Sequence, residues 1–576
     1  MKRLLALLLC VALLGTLFAA CGDSGKTSSA PESSKVESST ADSSGAGEES
    51  EAESSETGGD SEPSGEAVNG TNPGTELPIV TEPVTLRIAK ERHMLDTTQN
   101  YNEKASFKNI TEETGLTLEF VELAAGTAAE KVPLMLAGGD MPDVFWALLS
   151  DAQILQNEDQ LVALEDMLDT FAPNSMKTYS ELGTDWRTIA TTPSGHVYGM
   201  LSRYESLYEN TGDGIQIINK KWLGKVNKEV PTTLDEYYEV LKAFKEQDPN
   251  GNGEADEIPY CFSEDMWCAS ITNDIGWWGI GNGYGDTYSN FTLRDGKVTG
   301  SVNTQEYREY LEFFHKLYSE GLIDAEGFSQ NTEVFSNKIK NNQVGTYYSW
   351  TALEYLSSEQ EKDWVVLPTI TAKEGVQPVA NGEIDRSTIN KNGWVITKSC
   401  QHPEAALRLW DYLARDAESK MTVAMGEKGT LWDEYPEGGY YFVVPENTTP
   451  EYTFEHMKYT LGTVNNHPLL TKDETPKNDG EISPAAALRD QMVAVVDKDY
   501  VAKKDQLPQS YVSPEAIDDR SFIETDLKAY IKQFRAQAIM EGFSDADWDA
   551  YCKRLDDLSY GEWLQWYEDF YNGTLN

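Results

Sequence analysis

Cysteine, histidine and basic residues are all scarce in this chain of 576 residues. It has six Cys and six His, too few and too scattered for a disulfide scaffold. None of Cys261, Cys268, Cys400 or Cys552 has zinc-ligand spacing, while Cys261 and Cys268 could pair in an oxidising space. Lys and Arg number 47 against 96 Asp and Glu, a formal charge of −49. That imbalance excludes a phosphate-backbone binder, which needs clustered cations to release counterions. It also disfavours docking on anionic lipid headgroups. HExxH, GxSxG and P-loop motifs are missing, as are internal repeats and any long apolar run beyond the N-terminus. What the chain has instead is 39% hydrophobic residues with 14 Trp and 29 Tyr, enough for a sizeable core.

Met1-Lys2-Arg3 and the apolar run Leu4 to Ala20 read as a secretory signal, residues 1–20. The run ends Leu17-Phe18-Ala19-Ala20-Cys21-Gly22, which resembles a bacterial lipobox with Phe18 where Leu is usual. That resemblance implies diacylation of Cys21 and a lipid-anchored protein on the outer face of a Gram-positive-type cell membrane. The alternative is an ordinary signal peptide with a chance Cys. Residues 21–79 read as a disordered tether of Ser, Glu and Gly. Between Gly22 and Glu76 lie 13 acids and two lysines, a net of −11, which leaves too little apolar surface to offset chain entropy.

The remainder reads as α/β. Thr85–Ala89, Thr117–Val121 and Pro142–Trp146 are expected strands, with helices over Asn102–Thr114 and Ala128–Ala137 between them. That alternation is the rhythm of a doubly wound sheet. Further helices are expected at Pro231–Phe244, where Thr233 and Glu236 form a capping box, at Asn303–Tyr318, at Glu404–Leu413 and throughout the last ~55 residues.

The order of several segments resembles the extracellular solute-binding lipoproteins of carbohydrate ABC importers (family 1 solute-binding proteins). Specifically it resembles the branch with alginate-oligosaccharide binding proteins and related Gram-positive lipoproteins. The stretches are Gly139-Asp140-Met141-Pro142-Asp143-Val144, Gly195–Met200, Val230–Glu236 running into Asp248–Gly253, Leu317–Asp324, Val365–Pro368 and His402–Ala406. One departure is Asn219 in Asn219–Leu223, where the branch has Asp before Trp. The resemblance implies a periplasmic-binding-protein-like (type II) fold: two discontinuous α/β lobes joined by a hinge, with a helical C-terminus. The expected boundaries are 80–203 with 356–414 for lobe one, and 204–355 with 415–576 for lobe two. It further implies a monomer, not an enzyme, that closes on an oligosaccharide by hinge motion and delivers it to importer permease subunits.

Asp248, Asn250, Asn252 and Asp256 occupy positions 1, 3, 5 and 9 of an EF-hand-like spacing, with Gly253 at 6 and the carbonyl of Glu254 at 7. Position 12 is Pro259. The related alginate-oligosaccharide binders imply that Glu257, at position 10, supplies the bidentate carboxylate instead. The expected cofactor is a structural Ca²⁺, and the alternative is a metal-free Asp/Asn/Gly turn.

Sugars need flat aromatic platforms and polar edges. Trp277 and Trp278, among Gly276, Gly279, Gly281, Gly283 and Gly285, are expected at an exposed cleft loop with Tyr284. Trp146 directly follows a strand, where α/β clefts form. Trp350 ends Val344–Trp350, which resembles the family strand carrying an aromatic residue to the ligand. Trp394 suits core or cleft equally. Arg203, Glu383 and Arg386 are the candidate polar rim. The rival readings are a surface-anchored glycoside hydrolase, which needs two carboxylates at fixed separation, and a glycan- or peptide-binding sensor or adhesin without transport.

Overall fold

The computed structural model describes residues 66–576 except 183–184, 204–214, 267, 282–288, 350–353, 380–388, 465, 472, 483–486, 489–490, 492–504, 506 and 576. The signal, Cys21 and most of the expected tether lie outside the described residues. Among the described residues no helix is long and apolar enough to cross a membrane.

Two sheets organise the chain. The first runs β2-β1-β3-β11-β4, from β1 (Val84–Glu91), β2 (Leu116–Leu123), β3 (Val144–Trp146), β4 (Gly199–Ser202) and β11 (Asn390–Ile396). Its β1, β2 and β3 are parallel and β11 and β4 run against them. The expected strand–helix rhythm therefore builds the parallel half, and a non-local strand completes the sheet. The second sheet runs β10-β5-β9-β6, from β5 (Ile215–Asn219), β6 (Ile258–Cys261), β9 (Val344–Ser349) and β10 (Trp364–Val366), and two ribbons pair β7 (Phe291–Arg294) with β8 (Lys297–Gly300) and β12 (Trp432–Glu434) with β13 (Tyr440–Phe442). Each sheet has its own hydrophobic core.

Local signals explain most helices. Thr233 and Glu236 close the capping box of the helix Leu234–Glu246, whose buried face is Tyr237, Val240, Leu241 and Phe244. Gln305–Ser319 and Pro403–Leu413 form as expected. The C-terminus folds into Pro514–Glu541, Asp545–Asp557 and Tyr560–Tyr571, packed into the core of lobe two. The helix expected over 102–114 is instead two 3-10 turns and a short α-helix, Ile110–Thr114, ended by left-handed Gly115.

Three of the expected boundaries move. β10 pairs with β5, and Tyr355 and Leu356 sit in the second core, so residues 356–370 belong to lobe two. Residues 415–477 pack on lobe one: Lys420 pairs with Glu474 at 2.9 Å and donates to Thr178 Oγ1, and Ser202 bridges to Pro468. The third change lies at the end of the expected tether. Residues 66–80 are folded onto lobe one, with Thr71 and Ile79 fully buried and Asn72 and Glu76 carbonyls accepting from Arg408. Among the described residues Cys261, Cys268, Cys400 and Cys552 form no disulfide, so Cys261 and Cys268 are not bridged to each other.

Candidate functional site

A cavity of about 660 Å³ opens where the lobes meet. Lobe one contributes Asp151, Arg203, Asn390 and Lys391, and the C-terminal helices contribute Arg520 and Trp566. Each polar group is held from behind. Ser150 caps the helix Asp151–Gln156 with a full capping box. Asp151 pairs with Lys391 at 2.8 Å and accepts from Asn392 at 2.9 Å. Lys391 also donates to the Gln509 carbonyl at 3.0 Å and lies 4.2 Å above the Tyr511 ring. The Tyr511 hydroxyl donates to Asn392 Oδ1, and burial pushes that phenol up. Arg520 stacks on Trp566 at 4.6 Å and pairs with Glu524 at 3.1 Å. Flat rings beside cations, carboxylates and amides form a lining suited to a polyhydroxylated ligand.

Arg203 holds a left-handed φ of 78° at the exit of β4. Its amide donates to the His467 carbonyl at 3.0 Å, and its own carbonyl accepts from Leu470 at 3.3 Å. His467 is buried, its Nδ1–H donates to the Pro468 carbonyl at 2.8 Å, and burial pulls its pKa down to about 4. A neutral imidazole therefore stands beside the Arg203 guanidinium.

The carboxyl edge of β1 carries a second polar group. Lys90 is buried, 5.2 Å from the Trp146 ring, and desolvation lowers it to about 7. His93 stacks flat on Tyr459 at 3.5 Å. Lys104 pairs with Asp96 at 3.1 Å. Its ammonium donates to the carbonyls of Tyr459, Thr460 and Gly462, the cation at a helix C-terminus that the dipole favours. The helix Phe454–Leu461 is thereby fixed to lobe one.

Of the expected platforms, Trp146, Trp277 and Trp278 are core in this structure. Trp146 has no exposed surface. It is enclosed by Phe107, Phe120 and Trp394, and its indole N–H donates to the Asn466 carbonyl. Trp277 and Trp278 are 2% and 3% exposed and pack against Tyr237, Tyr310, Phe313 and Phe314. Gly276, Gly279 and Gly281 serve close packing, not an open loop, while Gly283 and Gly285 lie outside the described residues. A Cβ on Gly276 would fall 2.2 Å from the Val379 carbonyl oxygen. Trp394 is also core. Arg203 reaches the cavity, while Tyr284, Trp350, Glu383 and Arg386 lie outside the described residues. Asp151, Lys391, Arg520 and Trp566 were not singled out from the sequence. The one local signal was the polar triplet Asn390-Lys391-Asn392 that opens the otherwise buried strand β11.

The loop 248–257 is folded around its own oxygens. Asp248 accepts from the amides of Gly251 at 2.8 Å and Gly253 at 3.1 Å. Asn250 and Asn252 donate to Asp256 Oδ1 at 2.8 and 3.0 Å, and Asn252 Oδ1 accepts from the Glu254 amide at 2.7 Å. Gly253, at the sixth position, is left-handed at φ 82°. Glu257 is 2% exposed with Oε1 lacking a hydrogen-bond partner, and burial, with the charges of Asp248 and Asp256, raises its pKa. Among the described residues no group of three or more His, Cys, Asp or Glu is gathered as a metal cluster. Any cation here would therefore draw on the asparagine and backbone oxygens as well.

Comparison with known proteins agrees with this architecture. The chain is 27% identical over 503 residues to the fructooligosaccharide ABC transporter substrate-binding protein FusA of Streptococcus pneumoniae, covering 82% of this chain and 88% of that one. The structure of S. pneumoniae FusA with kestose superposes with a TM-score of 0.72 at 24% identity, covering 85% of this chain and 99% of the other. An EF-hand mutant of FusA with fructo-nystose gives 0.71 at 23% identity, covering 85% and 99%. These likenesses show the fold, that of the type II periplasmic-binding-protein-like receptors. The profile of the bacterial extracellular solute-binding protein family matches residues 105–430, more than half of the sequence, and the chain belongs to that family.

Proposed function

We propose that this protein captures an oligosaccharide between its two lobes and delivers it to an ABC importer, without breaking a bond. The observation that carries this reading is the cavity lined from both lobes. A ligand touching both has a higher affinity for the closed arrangement than for the open one, and that difference drives closure. The described lining combines a stacked Arg–Trp pair with carboxylate, amide and ammonium groups, in keeping with sugar rings and their hydroxyls. FusA, the curated relative named above, is a fructooligosaccharide receptor, which makes kestose the first probe. Cys21, diacylated, would hold the chain at the outer face of the cell membrane, with two acyl chains supplying the stable anchoring that one cannot.

The loop 248–257 fits a structural Ca²⁺. Asp248, Asn250, Asn252, the Glu254 carbonyl, Asp256 and Glu257 are the hard oxygen donors such an ion takes. The buried, unpartnered oxygen of Glu257 is the observation in favour. When bound, the ion would supply charge neutralisation and a rigid loop.

Calorimetry against kestose, fructo-nystose and a panel of neutral and acidic oligosaccharides tests the reading. Saturable one-to-one binding with no new reducing ends is expected. Turnover of a bound glycan would support the hydrolase reading, and a panel without any binder would reject glycan capture.

A further inference from the structure

The lobes touch away from the chain crossings that form the hinge. Among the described residues, the chain leaves the first sheet after Ser202 and enters the second at Ile215, and it passes from the core of lobe two at Ile370 to that of lobe one at Ile389, with Leu507 back in the core of lobe two. A separate contact joins the turn before the helix Ser358–Glu361 in lobe two to the loop that follows β13 (Tyr440–Phe442) on lobe one. The Ser358 hydroxyl donates to the Pro445 carbonyl at 2.7 Å and meets the Thr448 hydroxyl at 2.8 Å. The Ser358 amide donates to Thr448 Oγ1 at 2.9 Å. Ser358 is 1% and Thr448 8% exposed, so the three bonds are sheltered from water.

Both sides of this contact are anchored. Ser358 follows Tyr355 and Leu356, which are core residues of lobe two, and Ser357 forms a capping box with Gln360. The loop carrying Thr448 runs into the helix Phe454–Leu461, which Lys104 ties to lobe one through three carbonyls. Charges from opposite lobes also meet along that helix. Burial, and after it Lys340 of lobe two, lowers His456, and burial, with a lesser push from Glu455, raises Glu354 of lobe two. None of the hinge crossings contributes a residue to the three bonds.

We infer that the Ser358 turn and the 445–448 loop form a clasp that fastens the two lobes together outside the hinge. The inference rests on the capture reading above and adds to it a device that sets how long the lobes stay shut. A rigid-body opening about the hinge moves Ser358 away from Thr448 and returns all three bonds to water. The clasp therefore contributes only the modest net value of sheltered hydrogen bonds. It acts on the dissociation rate more than on recognition, because no clasp residue lines the cavity.

The full chain tests it, with Thr448→Val, Ser358→Ala and, as the control that keeps a hydroxyl, Thr448→Ser. Circular dichroism confirms folding of each variant. Small-angle scattering is measured without glycan and with kestose, and kestose dissociation by stopped flow. Val and Ala variants are expected to shift the open–closed ratio roughly tenfold toward open. That shift appears as a larger radius of gyration, a roughly tenfold faster kestose release, or both, while Thr448→Ser matches the parent protein. Identical scattering and identical release in the Val and Ser variants overturn the clasp and leave the capture reading intact. If kestose does not bind, the glycan-free scattering alone decides. Scattering that never changes with any bound glycan overturns capture by closure itself.

Discussion

Asp274 gives the most direct test of how the core of lobe two is built. It lies in the 3-10 segment Ile271–Trp278, has no exposed surface, and accepts from the Tyr260 hydroxyl at 2.8 Å. Tyr348 is its second hydroxyl donor. Its other oxygen has no hydrogen-bond partner. Desolvation dominates and raises the carboxyl to about 8 against the pull of the two tyrosines. The folded chain thus holds a proton that the unfolded chain, titrating near ~3.9, has already lost across the interval between the two values. Stability from this group is fully present at acid pH and is lost as pH rises through about 8. The slope is about 1.4 kcal/mol per pH unit, or about 2.7 kcal/mol between pH 5 and 7. Asp274→Asn is neutral at every pH and retains an acceptor for the tyrosines. Relative to the parent protein its melting temperature should therefore climb between pH 5 and 7, by on the order of 5 °C for a unit of lobe size. Taking the difference between the two proteins cancels the other acids, including Glu361, which burial raises to about 8 in the same lobe. Parallel melting curves across that range would mean that Asp274 is ionised throughout, and would refute the reasoning.

Two further outcomes follow from the same geometry. Removing calcium with EDTA should lower the melting temperature and adding it back should restore it, since an ion at 100 times its Kd contributes about 2.7 kcal/mol. Glu257→Ala should abolish the response, and a melting temperature indifferent to calcium in depleted protein rejects the site. Trp278→Ala should cost about 3–5 kcal/mol as a core truncation while leaving the affinity for any bound glycan within roughly threefold. Lost glycan binding at unchanged stability would return that ring to the cleft.

Features written in local patterns were legible in the sequence. Thr233 and Glu236 announced a helix start that the structure realises with both hydrogen bonds, and period-2 alternation marked β1 and β2. Features set by distant partners were not. The helix expected at 102–114 is interrupted at Lys104, which adopts an extended conformation while its ammonium serves carbonyls 355 to 358 residues away. Glycines around Trp277 signal either an open loop or a close backbone neighbour. The neighbour, Val379, lies a hundred residues along the chain, where nothing local announces it. Nothing local in Val365–Pro368 says which lobe holds it, and only the pairing of β10 with β5 assigns it to lobe two. The cavity was legible only at Arg203, because its other polar groups come from segments that are separately unremarkable and meet only after folding.

The strap at residues 66–80 shows how burial can decide what composition cannot. Arg408 is 1% exposed, and a guanidinium so placed is tolerated only when its donors are satisfied. Asp411 answers it from one side at 3.5 Å, and itself accepts from the Ser175 amide at 2.8 Å and the Asn174 side chain at 2.9 Å. The Asn72 and Glu76 carbonyls answer it from the other, at 3.2 and 3.0 Å. Taking the strap away would leave a buried cation with half its partners, so residues 66–80 fold with lobe one although their sequence continues the polar run before them.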